Sequence, residues 1–146
     1  MSEASRKARI LYMRGKAAEL QLAKMLWRAG YAVMRAPGSG KKSKRIKPPD
    51  IMAVKRIDGE VKVLIFEVKY REKPMTVYIA DYTYNTLKEY ARRTGGEAYI
   101  AVKVKEWQRF VAVPLDELEE AEINGKRMYR ITISKMRSAG EVEEIV

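Results

Sequence analysis

Between Ser5 and Ala29 the apolar or small residues Leu11, Gly15, Ala18, Leu22, Met25, Leu26 and Ala29 recur on one face of a 3.6-residue repeat, and Gly30 supplies a stop. This predicts a helix. Tyr31 to Arg35 reads as a short strand, and residues 37 to 49 as a loop. From residue 50 the repeat shortens to two. Asp58-Gly59 is a two-residue hairpin signal, and if those two residues form the whole turn, Ile57 opposes Glu60 and Asp50 falls directly across from Glu67. Along the second strand Leu64, Phe66 and Val68 face one way, and Val63, Ile65, Glu67 and Lys69 the other. Both faces are mostly apolar, so this strand is expected at the centre of a sheet covered on both sides.

A second helix is predicted over Ala80 to Arg93, with Tyr84, Leu87 and Ala91 as its packed face and Gly95-Gly96 ending it. Ala98 to Val104 and Phe110 to Val113 then read as two strands around a turn near Glu106. Beyond Pro114 come an acidic helical turn, an Asn124-Gly125 hairpin signal and a polar end. The order of elements implies an α/β fold, a single domain with a central mixed β-sheet flanked by α-helices. Residues 1–114 would form its body, with 115–146 an extension packed on or trailing it.

Charge sharpens this division. Thirty Lys and Arg against nineteen Asp and Glu give a net charge of +11, which favours a polyanionic partner such as nucleic acid. Residues 1–114 hold 25 basic and 11 acidic side chains, whereas 115–146 hold 5 and 8. The basic surface therefore belongs to the body. The chain has no Cys and no His, which excludes disulfides, thiol nucleophiles, Ser-His triads and imidazole metal sites. Hydrolytic chemistry would have to run on carboxylates, Lys, Tyr and a metal bound through oxygen. No apolar run of signal-peptide or membrane-span length is present, so a soluble cytoplasmic protein with no membrane association is expected.

The candidate chemistry follows from the hairpin register. Two carboxylates facing each other across an antiparallel pair repel unless a cation lies between them, and a divalent metal fits Asp50 and Glu67. Lys69, two residues beyond Glu67 on the same face, could orient or deprotonate an attacking water and offset developing charge. A bare Glu-x-Lys is common on ordinary surface strands. The upstream Pro49-Asp50, on a face otherwise lined by Val63 and Ile65, favours the metal site. Glu19 lies at the edge of the first helix's apolar stripe, where a solvated residue is not preferred. It is therefore expected to be a third acidic group of the same site.

Arg14-Gly15-x-x-x-Glu19, Gly30-Tyr31-Ala-Val-x-Arg35-x-x-Gly-Ser39, Pro49-Asp50, Glu67-Val68-Lys69 and Arg92-Arg93-x-Gly95-Gly96 stand in this order along the chain. The set resembles the archaeal Holliday-junction resolvases of the PD-(D/E)xK nuclease superfamily, over residues 6 to about 113. The resemblance implies a restriction-endonuclease-like fold and a metal-dependent homodimeric endonuclease that cuts four-way DNA junctions symmetrically. The metal would be Mg2+, with Mn2+ able to replace it. Asp50 and Glu67 would be metal ligands, Glu19 a further acidic catalytic residue that joins them at the metal, Lys69 the catalytic lysine, and Arg14 and Arg35 contacts to DNA phosphates. Three departures stand out: Leu20 follows Glu19 where these enzymes often carry a basic residue, the loop before Asp50 is longer and more basic than usual, and the acidic tail extends past the family's usual end.

That loop carries Lys41, Lys42, Lys44, Arg45 and Lys47 and no acidic residue. A charge run is ordinarily solvated surface, but this one leads into Asp50. With Lys16 and Ser39, these residues complete the candidate DNA-binding set. DNA affinity should then fall steeply with salt, and junction shape rather than base sequence would supply selectivity. Tyr82, Tyr84, Trp107 and Phe110 could stack on bases or line a dimer interface, although core packing is the simpler expectation. Two alternatives remain: another nuclease of the same superfamily acting on duplex or branched repair DNA, and a non-catalytic DNA-binding protein. Nothing in the residues points to other protein partners.

Overall fold

The computed structural model describes residues 2–37 and 47–146. Helix α1 runs Glu3–Arg28, begun by the Ser2 hydroxyl accepting from the Ser5 N–H and closed at Ala29, with Gly30 at φ +97°. Its second half buries Ala18, Glu19, Leu22, Ala23 and Leu26. The first half overhangs: Leu11, expected on the packed face, is 46% exposed beside Ile10, Tyr12 and Met13.

Strands β1 (Ala32–Arg35), β2 (Ile51–Ile57), β3 (Glu60–Arg71), β5 (Glu97–Val104) and β6 (Arg109–Pro114) form a five-stranded sheet in the order β1-β2-β3-β5-β6. Asp58 (φ 50°) and Gly59 (φ 83°) make the β2–β3 turn with both central residues in the left-handed region, as a tight hairpin of type I′ requires. The pairing runs from Ile57 with Glu60 to Ile51 with Phe66, the register expected from the turn. The sheet is mixed because β3 and β5 are parallel. Helix α2 (Asp81–Thr94) makes the crossover between them and ends at Gly95 in the left-handed region.

Strand β3 is central and covered on both faces. Leu64 and Phe66 pack with Ile51, Tyr99 and Ala101 under α1, and Val63 and Ile65 pack with Ile100, Val102 and Leu87 under α2. Gly96 is required where α2 delivers the chain back to the sheet. A Cβ there would lie 2.7 Å from the Val63 carbonyl oxygen.

The second covering layer includes elements the residue pattern did not reveal. Strand β4 (Val77–Ala80) pairs with β8 (Lys126–Ile131), which pairs with β7 (Glu119–Ile123) through the Asn124-Gly125 turn. This second sheet contributes Val77, Ile79, Tyr129 and Ile131 to the α2-side core. The expected polar end instead holds helices α3 (Ile133–Ser138) and α4 (Val142–Ile145), whose Met136 and Val142 are fully buried. The Gly140 carbonyl accepts from the Ala112 N–H at 2.9 Å, so the C-terminal segment also covers the β6 edge. No helix among the described residues is long and apolar enough to cross a membrane.

Candidate active site

The site sits where the β2–β3 pair opens. Asp50 immediately precedes β2, in the position that continues the register opposite Glu67. Its Oδ2 accepts from the Val68 N–H at 2.8 Å, and its own carbonyl accepts from the Ala36 N–H at 3.0 Å, so β3 and the residue that follows β1 both fix it. Glu67 is only 8% exposed and lies beside Ile100 of β5. Burial, and then the charge of Asp50, push its carboxyl above the ordinary range, while Lys69 and Lys47 pull it back. Lys69 Nζ stands 3.3 Å from Glu67 Oε2. Asp50, Glu67, Lys69 and, from the loop, Lys47 thus share one electrostatic neighbourhood.

Glu19 is placed differently from the expectation. It is 5% exposed, and its carboxylate accepts from Arg35 Nε at 3.2 Å and from Lys16 Nζ at 3.5 Å. Arg35 pairs with Ile51, whose side chain lies in the α1-side core, whereas Val63 and Ile65, four and two residues from Glu67 on the same strand, pack on the α2 side. Among the described residues no three metal-binding side chains come together. Two carboxylates meet at the sheet, and the third is neutralised by two cations on the helix side.

Arg14 is also engaged, donating to Glu72 Oε2 at 2.6 Å. Glu72, just past β3 and half-buried, has no signal in the sequence, because a single Glu carries neither a period nor a motif. Ser39, Lys41, Lys42, Lys44 and Arg45 lie outside the described residues. Of the aromatics, Phe110 is buried, Tyr84 stacks on Tyr129 with centroids 3.7 Å apart, and the Trp107 ring lies within cation–π distance of Arg109 and Arg137. These three serve packing, whereas Tyr82 is exposed.

A buried and a half-buried carboxylate beside a lysine, where the β2–β3 pair opens, fit a nuclease, and comparison with known proteins decides the lineage. The family model of the archaeal Holliday junction resolvases (Hjc) matches residues 11–146. The chain belongs to this family. The crossover junction endodeoxyribonuclease Hjc of Sulfurisphaera tokodaii is 33% identical over 133 residues, covering 91% of this chain and 85% of that protein. The Archaeoglobus fulgidus Hjc is 36% identical over 118 residues, 77% of each chain. A solved structure of A. fulgidus Hjc superimposes with a TM-score of 0.71 at 29% identity, covering 90% of this chain and 94% of that one. A nuclease from a fusselovirus shares the fold, with a TM-score of 0.53 at 11% identity over 99% of this chain and 91% of that one. The Hjc family match continues to Val146, so the acidic segment after Pro114 falls inside the family's span and not beyond it.

Proposed function

We propose that this chain resolves four-way DNA junctions by hydrolysing phosphodiester bonds at a divalent-metal site held by Asp50 and Glu67, with Lys69 beside it. The observation that carries the reading is the opposition of Asp50 and Glu67 at the open end of the β2–β3 pair, with Lys69 3.3 Å from Glu67, in a chain of the resolvase family. Nucleases of this kind use a divalent metal. The donor set suits a hard cation: the available ligands are carboxylates, and the chain has neither thiol nor imidazole. The raised carboxyl of Glu67 has burial and Asp50 as its causes, and a cation between the two would relieve the second. We take the ion to be Mg2+, with Mn2+ able to substitute. Bound there, it would polarise the scissile phosphate and lower the pKa of a water.

The protein's own residues do the rest. Lys69, half-buried and fixed by Glu67, positions the attacking water or takes its proton as an oxygen–phosphorus bond forms and one P–O bond of the strand breaks. Glu19 acts at one remove, holding Arg35 and Lys16 toward the DNA, and is a positioning residue in this reading. Arg14, Lys16, Arg35 and Lys47 neutralise phosphates. A substrate with two-fold symmetry calls for two such sites in a symmetric homodimer. Residues 1–114 form the nuclease body and 115–146 an extension packed on it, supported by the burial of Met136 and Val142.

The test is to incubate the protein and Mg2+ with labelled four-way junction, linear duplex and flap DNA of equal arm length. Paired, symmetric cuts in the junction alone are expected. Duplex cut as readily as junction would contradict the reading.

A further inference from the structure

Trp27 stands in the last turn of α1 with 68% of its surface exposed. So large an apolar ring left outside the core marks a contact surface when its surroundings are organised for one. Here it lines a groove of about 280 Å³ with Ala23, Lys24, Arg28, Val33 and Arg35. Three cations and no acid surround an apolar floor. An aromatic face among Lys and Arg is the arrangement that holds single-stranded nucleic acid, the base stacking on the ring while the cations meet phosphates on either side.

The groove adjoins the α1 side of the site described above through Arg35. Arg35 lines it and also donates to Glu19, and the next residue, Ala36, donates its N–H to the Asp50 carbonyl. Trp27 lies eight residues beyond Glu19 on α1, about 12 Å along the helix axis. The backbone beneath it is fixed: the Gly30 N–H donates to the Trp27 carbonyl at 3.0 Å, the Tyr31 N–H to the Leu26 carbonyl at 3.1 Å, and Lys55 Nζ to the Ala29 carbonyl at 2.6 Å. The backbone that carries the ring is therefore set before any ligand arrives.

We propose that Trp27 is a stacking platform for a base displaced at the branch point of a DNA junction, with Lys24, Arg28 and Arg35 holding the adjoining phosphates. The proposal rests on the junction-binding reading above and adds a source of selectivity to it. In linear duplex every interior base is already stacked and paired. At a branch point a base can be displaced at lower cost, so the indole favours branched DNA and contributes little to binding of duplex.

The test uses the full chain in EDTA, a dye-labelled four-way junction and a linear duplex of equal length. Binding is read by anisotropy of the dye and, separately, by tryptophan emission. Junction binding should quench the wild-type emission and leave that of Trp27→Phe, which retains only Trp107, unchanged. Trp27→Ala should weaken junction binding about tenfold or more, with duplex binding altered less than about twofold, and Trp27→Tyr should restore most of the loss. Because Trp27 is exposed, these variants should keep the wild-type melting curve. Unchanged emission at saturating junction, or an equal loss of affinity for both DNAs, would overturn the stacking proposal alone. Absence of junction binding by the wild type in the anisotropy channel would overturn both this proposal and the functional reading beneath it.

Discussion

Asp50 has two separable jobs, and two substitutions distinguish them. One job is structural: Oδ2 accepts from the Val68 N–H at 2.8 Å and ties the start of β2 to β3. Asn keeps an oxygen for that bond, whereas Ala leaves the donor unmet. A buried donor without a partner costs about 1–3 kcal/mol. This bond is only partly buried, so water recovers some of the loss and about 1–2 kcal/mol is expected for Asp50→Ala. Asp50→Asn should cost less than about 1 kcal/mol, because it also removes the negative charge that raises the Glu67 carboxyl. At this chain length 1 kcal/mol moves Tm by about 2–4 °C. In EDTA at pH 7, melting followed by circular dichroism should place Asp50→Ala about 2–8 °C below wild type and Asp50→Asn close to it. Equal drops for the two variants, or no drop for Ala, would refute the assigned bond.

Glu67→Gln tests the buried carboxylate through pH. A folded-state pKa raised above the ordinary value of 4.5 means that the stability Glu67 contributes is present below about pH 4.5 and lost as pH rises through the folded value. In EDTA the Gln variant should therefore gain on wild type in Tm as pH increases from 4 toward 7, and a pH-independent gap would count against the burial argument. Gly96→Ala should destabilise by about 1–3 kcal/mol in urea melts, because its Cβ would meet the Val63 carbonyl oxygen and Cβ at 2.7 and 2.8 Å. A neutral result would mean that the α2–β5 connection can shift away from β3. Glu72→Gln frees Arg14 from its 2.6 Å partner and should tighten junction binding roughly two- to fivefold in anisotropy titrations, with weaker binding as the contrary result.

The hairpin register was legible because one turn fixes it. Asp58 and Gly59 both take positive φ, no bulge intervenes, and every pair down to Ile51 with Phe66 follows. The place of β3 followed from its two apolar faces. Glu19 was legible as buried, but not in its surroundings: a helical wheel gives the edge of a stripe, not which side of the sheet the helix covers. The Arg35 partner that neutralises it comes from strand pairing 16 residues away. Strand β4 alternates buried Val77 and Ile79 with exposed Tyr78 and Ala80, but four residues without a charged or strongly polar member show no such alternation in the sequence, and their partner β8 lies far along the chain. Helices α3 and α4 carry no period either, each anchored by one buried side chain, Met136 or Val142. Leu11 failed in the opposite sense, since a regular stripe does not reveal where the covering sheet ends.

Everything proposed for the reaction rests on Asp50 and Glu67 holding the metal of a junction-cutting enzyme. The most direct test is single-turnover cleavage of a labelled four-way junction in Mg2+ by wild type and Asp50→Asn, the variant expected to keep the fold and the Val68 bond while losing the charge. Asp50→Asn should lose about a thousandfold or more in cleavage rate with junction binding in EDTA unimpaired. Cleavage by Asp50→Asn within about tenfold of wild type would contradict the metal site.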